Sequence, residues 1–161
     1  MGEQNVRQMS QRDELRVFLK HLLRDVRAFE RMHDEGLFEG DRRRIGAEQE
    51  LFLVDSAWRP ARKAVEVLAE LQDDHFTPEL ALFNLEFNLD PLDFGGGCLH
   101  QMEAQLTELL AKARSAAEAC DARVVMTGIL PTLSKSDLEL ESMTPNPRYA
   151  ALNEAMTRLR G

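Results

Sequence analysis

The pattern of hydrophobic and polar positions predicts an amphipathic helix over residues 12–35. Apolar residues recur there at spacings of three and four, and arginines and acids occupy the other face. The apolar positions are Leu15, Phe18, Leu19, Leu22, Leu23, Val26, Phe29 and Met32. Gly36 is suited to end the helix. We therefore divide the chain into an N-terminal helix with its linker, residues 1–41, and a second segment, residues 42–161.

The second segment has the pattern of a mixed α/β domain. Three stretches have the length and composition of strands, at residues 43–55, 82–90 and 123–129. Stretches with helical spacing accompany them, at residues 63–72, 99–119 and 148–160. In the second strand the alternation predicts one apolar face, made of Phe83, Leu85, Phe87 and Leu89. One-sided strands in mixed order with helices predict an α+β fold, with a largely antiparallel sheet flanked by helices.

Length and hydropathy indicate a soluble, cytoplasmic protein. The chain has 161 residues, of which 43% are hydrophobic, enough for one domain with a sizeable core. No apolar run approaches the roughly 18–20 residues that cross a bilayer. The N-terminal residues contain no apolar signal core. We expect no membrane partner.

Charge argues against a general nucleic-acid binder, because the formal net charge is −8. The one tight basic run is Arg42, Arg43 and Arg44. Two interpretations of this run stay open. It is either a solvated start of the first strand or a basic rim that attracts an anionic substrate.

The two cysteines, Cys98 and Cys120, flank a predicted helix. At about 1.5 Å per residue, a continuous helix holds them about 33 Å apart. A disulfide requires Cα atoms within about 7 Å, so we predict that they do not pair. Reduced thiols are typical of cytosolic proteins.

Carboxylates are placed on the polar faces of two of the strands. Glu48 and Glu50 point the same way because a strand alternates its side chains. Glu86 lies on the polar face of the second strand, between Asn84 and Asn88. If the two strands are neighbours, the three carboxylates converge, and such a set of hard oxygen donors suits Mg²⁺ or Mn²⁺. The alternative is an ordinary solvated face whose acids pair with a nearby arginine such as Arg43.

Two sequence motifs resemble the glutamate–cysteine ligase superfamily, especially its bacterial carboxylate–amine ligase branch. The stretch IGAEQELFLVD, residues 45–55, is similar to the Gly-x-Glu-x-Glu motif of that family's first strand. The stretch ELALFNLEFN, residues 79–88, is similar to its second strand motif. A weaker similarity is NPRY, residues 146–149, where the branch has an Arg-Tyr that opens a helix. The resemblance covers residues 43–160.

The resemblance implies an ATP- and Mg²⁺-dependent ligase that joins glutamate, or a similar carboxylate, to an amine such as that of cysteine through an acyl phosphate, as in glutathione biosynthesis. It implies metal ligation by Glu48, Glu50 and Glu86, a catalytic role for Glu79, and nucleotide binding by Arg148. Without the resemblance, Glu79 is equally well an acid at a strand entrance. The implied fold is the N-terminal part of a glutamine-synthetase-like catalytic domain. Family enzymes are longer, so we expect this chain to be inactive alone.

A second hypothesis is a catalytically inactive homologue that acts as a binding or assembly module. Many members of the branch have Gly-Thr-His-Pro after the third strand, where this chain has Gly128-Ile129-Leu130-Pro131. Leucine cannot donate a hydrogen bond to a phosphate or a carboxylate. In this hypothesis, as in the first, the amphipathic helix is the candidate surface for a homo-oligomer.

Three other motifs favour plain structural roles. Gly95-Gly96-Gly97 before a helix is either a flexible turn or an anion site, and it matches no established phosphate loop. His100 and Glu103 are spaced as a surface pair rather than a metal site. For Trp58 beside Arg59, anchoring of its loop in the core is favoured over stacking on a ligand.

Overall fold

The computed structural model describes residues 12–160. These residues form two compact units, one of residues 44–145 and one of residues 12–43 with 146–160. The predicted N-terminal segment begins with residues 1–11 and the predicted second segment ends with residue 161, and these residues lie outside the described part of the chain.

The unit of residues 44–145 is built on antiparallel strands. Its elements are β1 (Arg44–Ile45), β2 (Glu48–Val54), α2 (Ala64–Leu71), β3 (Phe76–Pro78), β4 (Asn84–Asn88), β5 (Leu92–Asp93), α3 (Cys98–Ala119) and β6 (Arg123–Val125). Four strands form one sheet in the order β3-β4-β2-β6, and β1 pairs with β5 in a separate two-stranded sheet. All of these pairs are antiparallel, so the α+β prediction is confirmed.

One face of the four-stranded sheet carries the main hydrophobic core. Leu51 and Leu53 of β2 are fully buried together with Leu85 and Phe87 of β4. Helices α2 and α3 cover this face with small and branched side chains, which include Val67, Ala64, Leu109, Leu110, Ala113 and Ala117. The alternation of β2 and β4 therefore sends their carboxylates to the opposite face.

A second, smaller cluster lies on that opposite face, toward the end of β2. It consists of Phe52, Val54, Phe83 and Leu130. The predicted placement of Phe83 on the face of Leu85 is wrong. The chain turns before β4, with the Asn84 N–H donating to the Ala81 carbonyl, and Phe83 stacks on Phe52 with ring centroids 6.4 Å apart.

The strand boundaries also differ from the prediction. The single strand expected at residues 43–55 is divided into β1 and β2, because Gly46 and Ala47 interrupt the pairing. The third strand ends at Val125 rather than at residue 129. The short strands β3 and β5 carry too few residues for a periodic signal, and the sequence analysis missed them. The three helices predicted in the second segment are confirmed to within one or two residues.

The other unit contains α1 (Arg12–Asp34) and α4 (Pro147–Arg160). The predicted first helix is confirmed, but none of the residues of Arg12–Asp34 is buried. Cys98 and Cys120 are free thiols, as predicted. No helix within residues 12–160 has both the length and the apolar character needed to cross a membrane.

Candidate functional site

The register between β2 and β4 brings the predicted carboxylates onto neighbouring positions of one sheet face. Glu50 lies directly opposite Glu86, and Glu48 lies directly opposite Asn88. Cβ atoms of directly opposed residues are about 5 Å apart. The condition set by the sequence analysis, that these two strands be neighbours, is met, and two like charges lie directly opposite each other across the strand pair.

Glu86 is held in place by polar side chains from its own strand and from β3. The Asn88 amide Nδ2 donates to Glu86 Oε1 at 2.8 Å, and the Thr77 hydroxyl donates to the same oxygen at 3.4 Å. Thr77 is the residue of β3 opposite Glu86. The Glu86 carboxylate is half-buried and oriented by its neighbours, whereas Glu50 and Glu48 are exposed.

Glu79 joins this group from the segment between β3 and β4. Burial raises the pKa of the Glu79 carboxyl, and the negative charges of Glu86 and Glu50 raise it further. The hydrogen bond donated by the Leu80 N–H lowers this pKa and offsets part of the increase. The Leu80 N–H donates to Glu79 Oε2 at 3.3 Å. Three carboxylates, Glu50, Glu79 and Glu86, therefore share one electrostatic environment.

The segment that carries Glu79 is anchored by residues far along the chain. The Thr144 hydroxyl donates to the Glu79 carbonyl at 2.6 Å, and the Thr144 N–H donates to the Leu80 carbonyl at 2.9 Å. The Leu82 N–H donates to the Ser142 carbonyl at 2.7 Å. These backbone contacts hold the position of Glu79 although the residue lies outside any strand.

The side chain of Asn88, beside the carboxylates, contains a buried polar atom that makes no hydrogen bond. Its Nδ2 is used by Glu86, while its Oδ1 is buried and accepts no hydrogen bond. A buried amide oxygen without a donor is costly in a folded protein. Within residues 12–160, however, no three Asp, Glu, His or Cys side chains are arranged so that they could hold a metal ion. The metal-binding roles of Glu48, Glu50 and Glu86 stay predictions.

Leu130 lies in the small apolar cluster on the same sheet face as the carboxylates. It is 5% exposed and packs with Phe52, the residue two positions after Glu50 on the strand. The position at which the resemblance led us to expect a histidine is thus filled by a buried apolar side chain. The sheet face changes from charged to apolar within one residue pair, from Glu50 opposite Glu86 to Phe52 opposite Asn84.

Trp58 and Arg59 form a contact between two loops that the sequence analysis did not foresee. The Arg59 guanidinium donates to the Thr132 carbonyl and to Asp137, 3.0 Å away. Trp58 is 55% exposed, so the favoured core-anchoring role is wrong, and the Arg123 guanidinium lies 5.5 Å from its ring centroid. The alternative, stacking on a ligand, stays a prediction.

The remaining candidates lie on the surface. Arg148 is exposed in the first turn of α4, where its N–H donates to Asn146 Oδ1 at 2.9 Å, and its nucleotide-binding role stays a prediction. His100 and Glu103 form an exposed pair 3.9 Å apart, as expected. Gly96 adopts a left-handed conformation, with φ of 52°, which accounts for a glycine in this turn.

A charged cluster that the sequence analysis missed connects α3 to the start of β3. His75 Nδ1 lies 2.7 Å from Asp73 Oδ1, and Lys112 Nζ lies 3.0 Å from Asp73 Oδ2. His75 Nε2 lies 3.5 Å from Asp90. The His75 hydrogen bonds lower the pKa of Asp73 to about 2, and Asp73 in turn raises the pKa of His75.

We expect the stabilising effect of His75 to depend on pH. Because the pKa of His75 is raised in the folded state, its contribution is fully present below the unfolded value of about 6.5 and is lost as the pH rises through the folded value. His75→Gln should lower the free energy of unfolding by about 0.5 kcal/mol at pH 5.5, a modest figure because solvent screens the partly exposed pair. At pH 9 the difference should be close to zero. Urea unfolding at the two pH values measures this, with His100→Gln as the exposed control, and an equal loss at both would contradict it.

Comparison with known families supplies an independent result. A protein-family model for glutamate–cysteine ligase family 2 matches residues 44–160. No curated protein and no solved structure matches the chain. The matched range contains the three grouped carboxylates as well as Glu48 and Arg148.

Proposed function

Because this chain belongs to glutamate–cysteine ligase family 2, we propose that its function is the ATP- and Mg²⁺-dependent joining of a carboxylate to an amine through an acyl phosphate. The carboxylate is glutamate or a close analogue, and the amine is cysteine or a similar small molecule. We place the reaction in the cytoplasm because it consumes ATP and because Cys98 and Cys120 are free thiols.

The observation that carries this proposal is the direct opposition of Glu50 and Glu86, with Glu79 in the same environment. Like charges directly opposite each other on a sheet are destabilising. A cation bound between these carboxylates would remove their mutual repulsion, and it would therefore stabilise the sheet. The family's reaction supplies a reason for that cation, since it requires a metal ion with its nucleotide.

The chemistry of these donors fits a hard divalent ion. Carboxylate oxygens and amide oxygens are the ligands that Mg²⁺ and Mn²⁺ prefer. The buried Asn88 Oδ1, which accepts no hydrogen bond, is a further oxygen of the same type next to Glu86. When bound, the ion would neutralise charge on the phosphates of the nucleotide.

In this proposal the residues of the site have different tasks. Glu50, Glu86 and Glu48 are metal ligands, and Asn88 and Thr77 orient Glu86. Glu79 has a raised pKa, which suits a group that holds a proton near the amine substrate. For Arg148, which belongs to the other compact unit, we propose separately that its positive charge binds nucleotide phosphates.

Calorimetric titration of Mg²⁺ and Mn²⁺ into the 161-residue chain, with and without ATP, tests the metal site. We expect saturable binding that is weakened at least about tenfold in Glu50→Gln and in Glu86→Gln, since each change removes one ligand charge without changing side-chain size. Glu139→Gln is the matched control, because Glu139 belongs to a second Glu-x-Glu sequence that lies exposed in a loop. Equal binding by all four proteins would contradict the assignment.

The second candidate function, an inactive homologue used for binding or assembly, is favoured by Leu130. Its burial against Phe52 leaves an apolar side chain where related ligases have a hydrogen-bonding histidine. Metal binding without ADP formation by the intact natural protein, over a panel of amino acids and amines, would support this candidate against the ligase.

A further inference from the structure

The apolar face of α1 contains no buried residue, and the one ring contact given for it is that of Phe29 with Phe38, whose centroids are 5.2 Å apart. Its hydrophobic side chains are between 39% and 61% exposed, and the least exposed are Met32 and Leu22. A helix of 23 residues with a continuous stripe of partly exposed, large apolar side chains and no buried residue is unusual for an isolated soluble domain. We propose that α1 pairs with α1 of a second copy of this chain, in an antiparallel arrangement.

The spacing of the apolar residues specifies a seam of the coiled-coil type. Leu15, Leu19, Leu22, Val26 and Phe29 alternate at intervals of four and three. This places Leu19 and Val26 at the a positions of a heptad and the other three at d positions. The residues that border the seam are then Arg16, Leu23 and Glu30 at e, with Phe18, Asp25 and Met32 at g.

The charges on the borders distinguish the two orientations of such a pair. In a parallel pair, g residues face e residues of the next heptad, so Asp25 would face Glu30 of the other copy, and the repulsion would occur twice. In an antiparallel pair, e faces e and g faces g. When Leu22 packs on Val26 of the second copy, Arg16 comes opposite Glu30, and this ion pair also occurs twice.

The same arrangement matches the apolar border residues. Leu23 faces its own equivalent across the two-fold axis, and Phe18 faces Met32. Such a contact is isologous, because the same patch is used by both copies, and it closes at a dimer. One unfavourable contact remains, since Asp25 faces its own equivalent.

Charge reversal tests both the partner and the orientation. Sedimentation equilibrium of the 161-residue chain over a concentration series should show a monomer–dimer equilibrium. Arg16→Glu and Glu30→Arg should each weaken the dimer about tenfold, because two ion pairs become two repulsions. The double variant Arg16→Glu/Glu30→Arg should recover the original affinity. Asp25→Asn should strengthen the dimer, and Ala28→Asp, on the opposite face, should leave it unchanged.

Each other outcome overturns the proposal. A monomer at about 100 μM protein, where a dimer with a Kd of about 1 μM is almost fully associated, would assign the face to a different partner. A dimer that Leu22→Lys does not disrupt would place the interface elsewhere. A double variant that stays as weak as the single variants would exclude the antiparallel register. Far-UV circular dichroism of every variant establishes that α1 and the domain are still folded.

Discussion

Replacement of Glu86 by glutamine is expected to reduce ATP-dependent ADP formation by the intact natural protein about 100-fold or more, a loss typical of removing a metal ligand's charge. Glu86 lies at the middle of β4, with Glu50 opposite it on one side and Thr77 on the other. Glutamine has the same shape, so the sheet should persist while the negative charge is lost. The rate of ADP release with glutamate and a panel of amines measures the effect.

Two controls separate a chemical role of Glu86 from a structural one. Glu139→Gln removes a carboxylate from the exposed loop and should leave the rate unchanged. Thr77→Val removes the weaker donor to Glu86, at 3.4 Å, and should reduce the rate far less than the loss of the carboxylate itself. A folded Glu86→Gln protein with undiminished ADP formation would remove Glu86 from the site.

The part of this site that the sequence predicted is the part set by local alternation. Glu48 and Glu50 share a face because they are two residues apart on a strand, and the alternation of β4 places Glu86 on a polar face in the same way. Their meeting required in addition that the two strands pair, which the sequence analysis left as a condition. The helices were predicted for a similar reason, since α2 and α3 each carry a periodic apolar face.

The parts that the sequence did not predict depend on distant contacts. Only the resemblance placed Glu79 in the site, because its position beside the carboxylates depends on its segment's hydrogen bonds to Thr144, which is 65 residues away. Phe83 leaves the expected face because the chain turns at residues 81–84, and a turn resets the alternation on which the prediction relied. Arg59 binds a loop more than 70 residues later, and the neighbouring Trp58 is exposed. No local sequence pattern predicts such contacts between distant residues.

Replacement of Phe87 by alanine is expected to lower the free energy of unfolding by about 3–5 kcal/mol, the usual cost of emptying a large buried aromatic site. Phe87 is fully buried, and its ring meets that of Phe76 edge-on with centroids 5.6 Å apart. It separates Glu86 from Asn88 along β4, so the packing of the core face fixes the backbone that presents the polar face. Urea unfolding followed by circular dichroism measures the loss.

A second, exposed phenylalanine provides the control for this prediction. Phe94 is 59% exposed, and Phe94→Ala should change the free energy of unfolding by no more than about 0.5 kcal/mol. If Phe87→Ala proves equally mild, the main core does not support β4 as described. If instead the variant folds with the expected loss, its affinity for Mg²⁺ should also fall, since a relaxed β4 no longer holds Glu86 opposite Glu50.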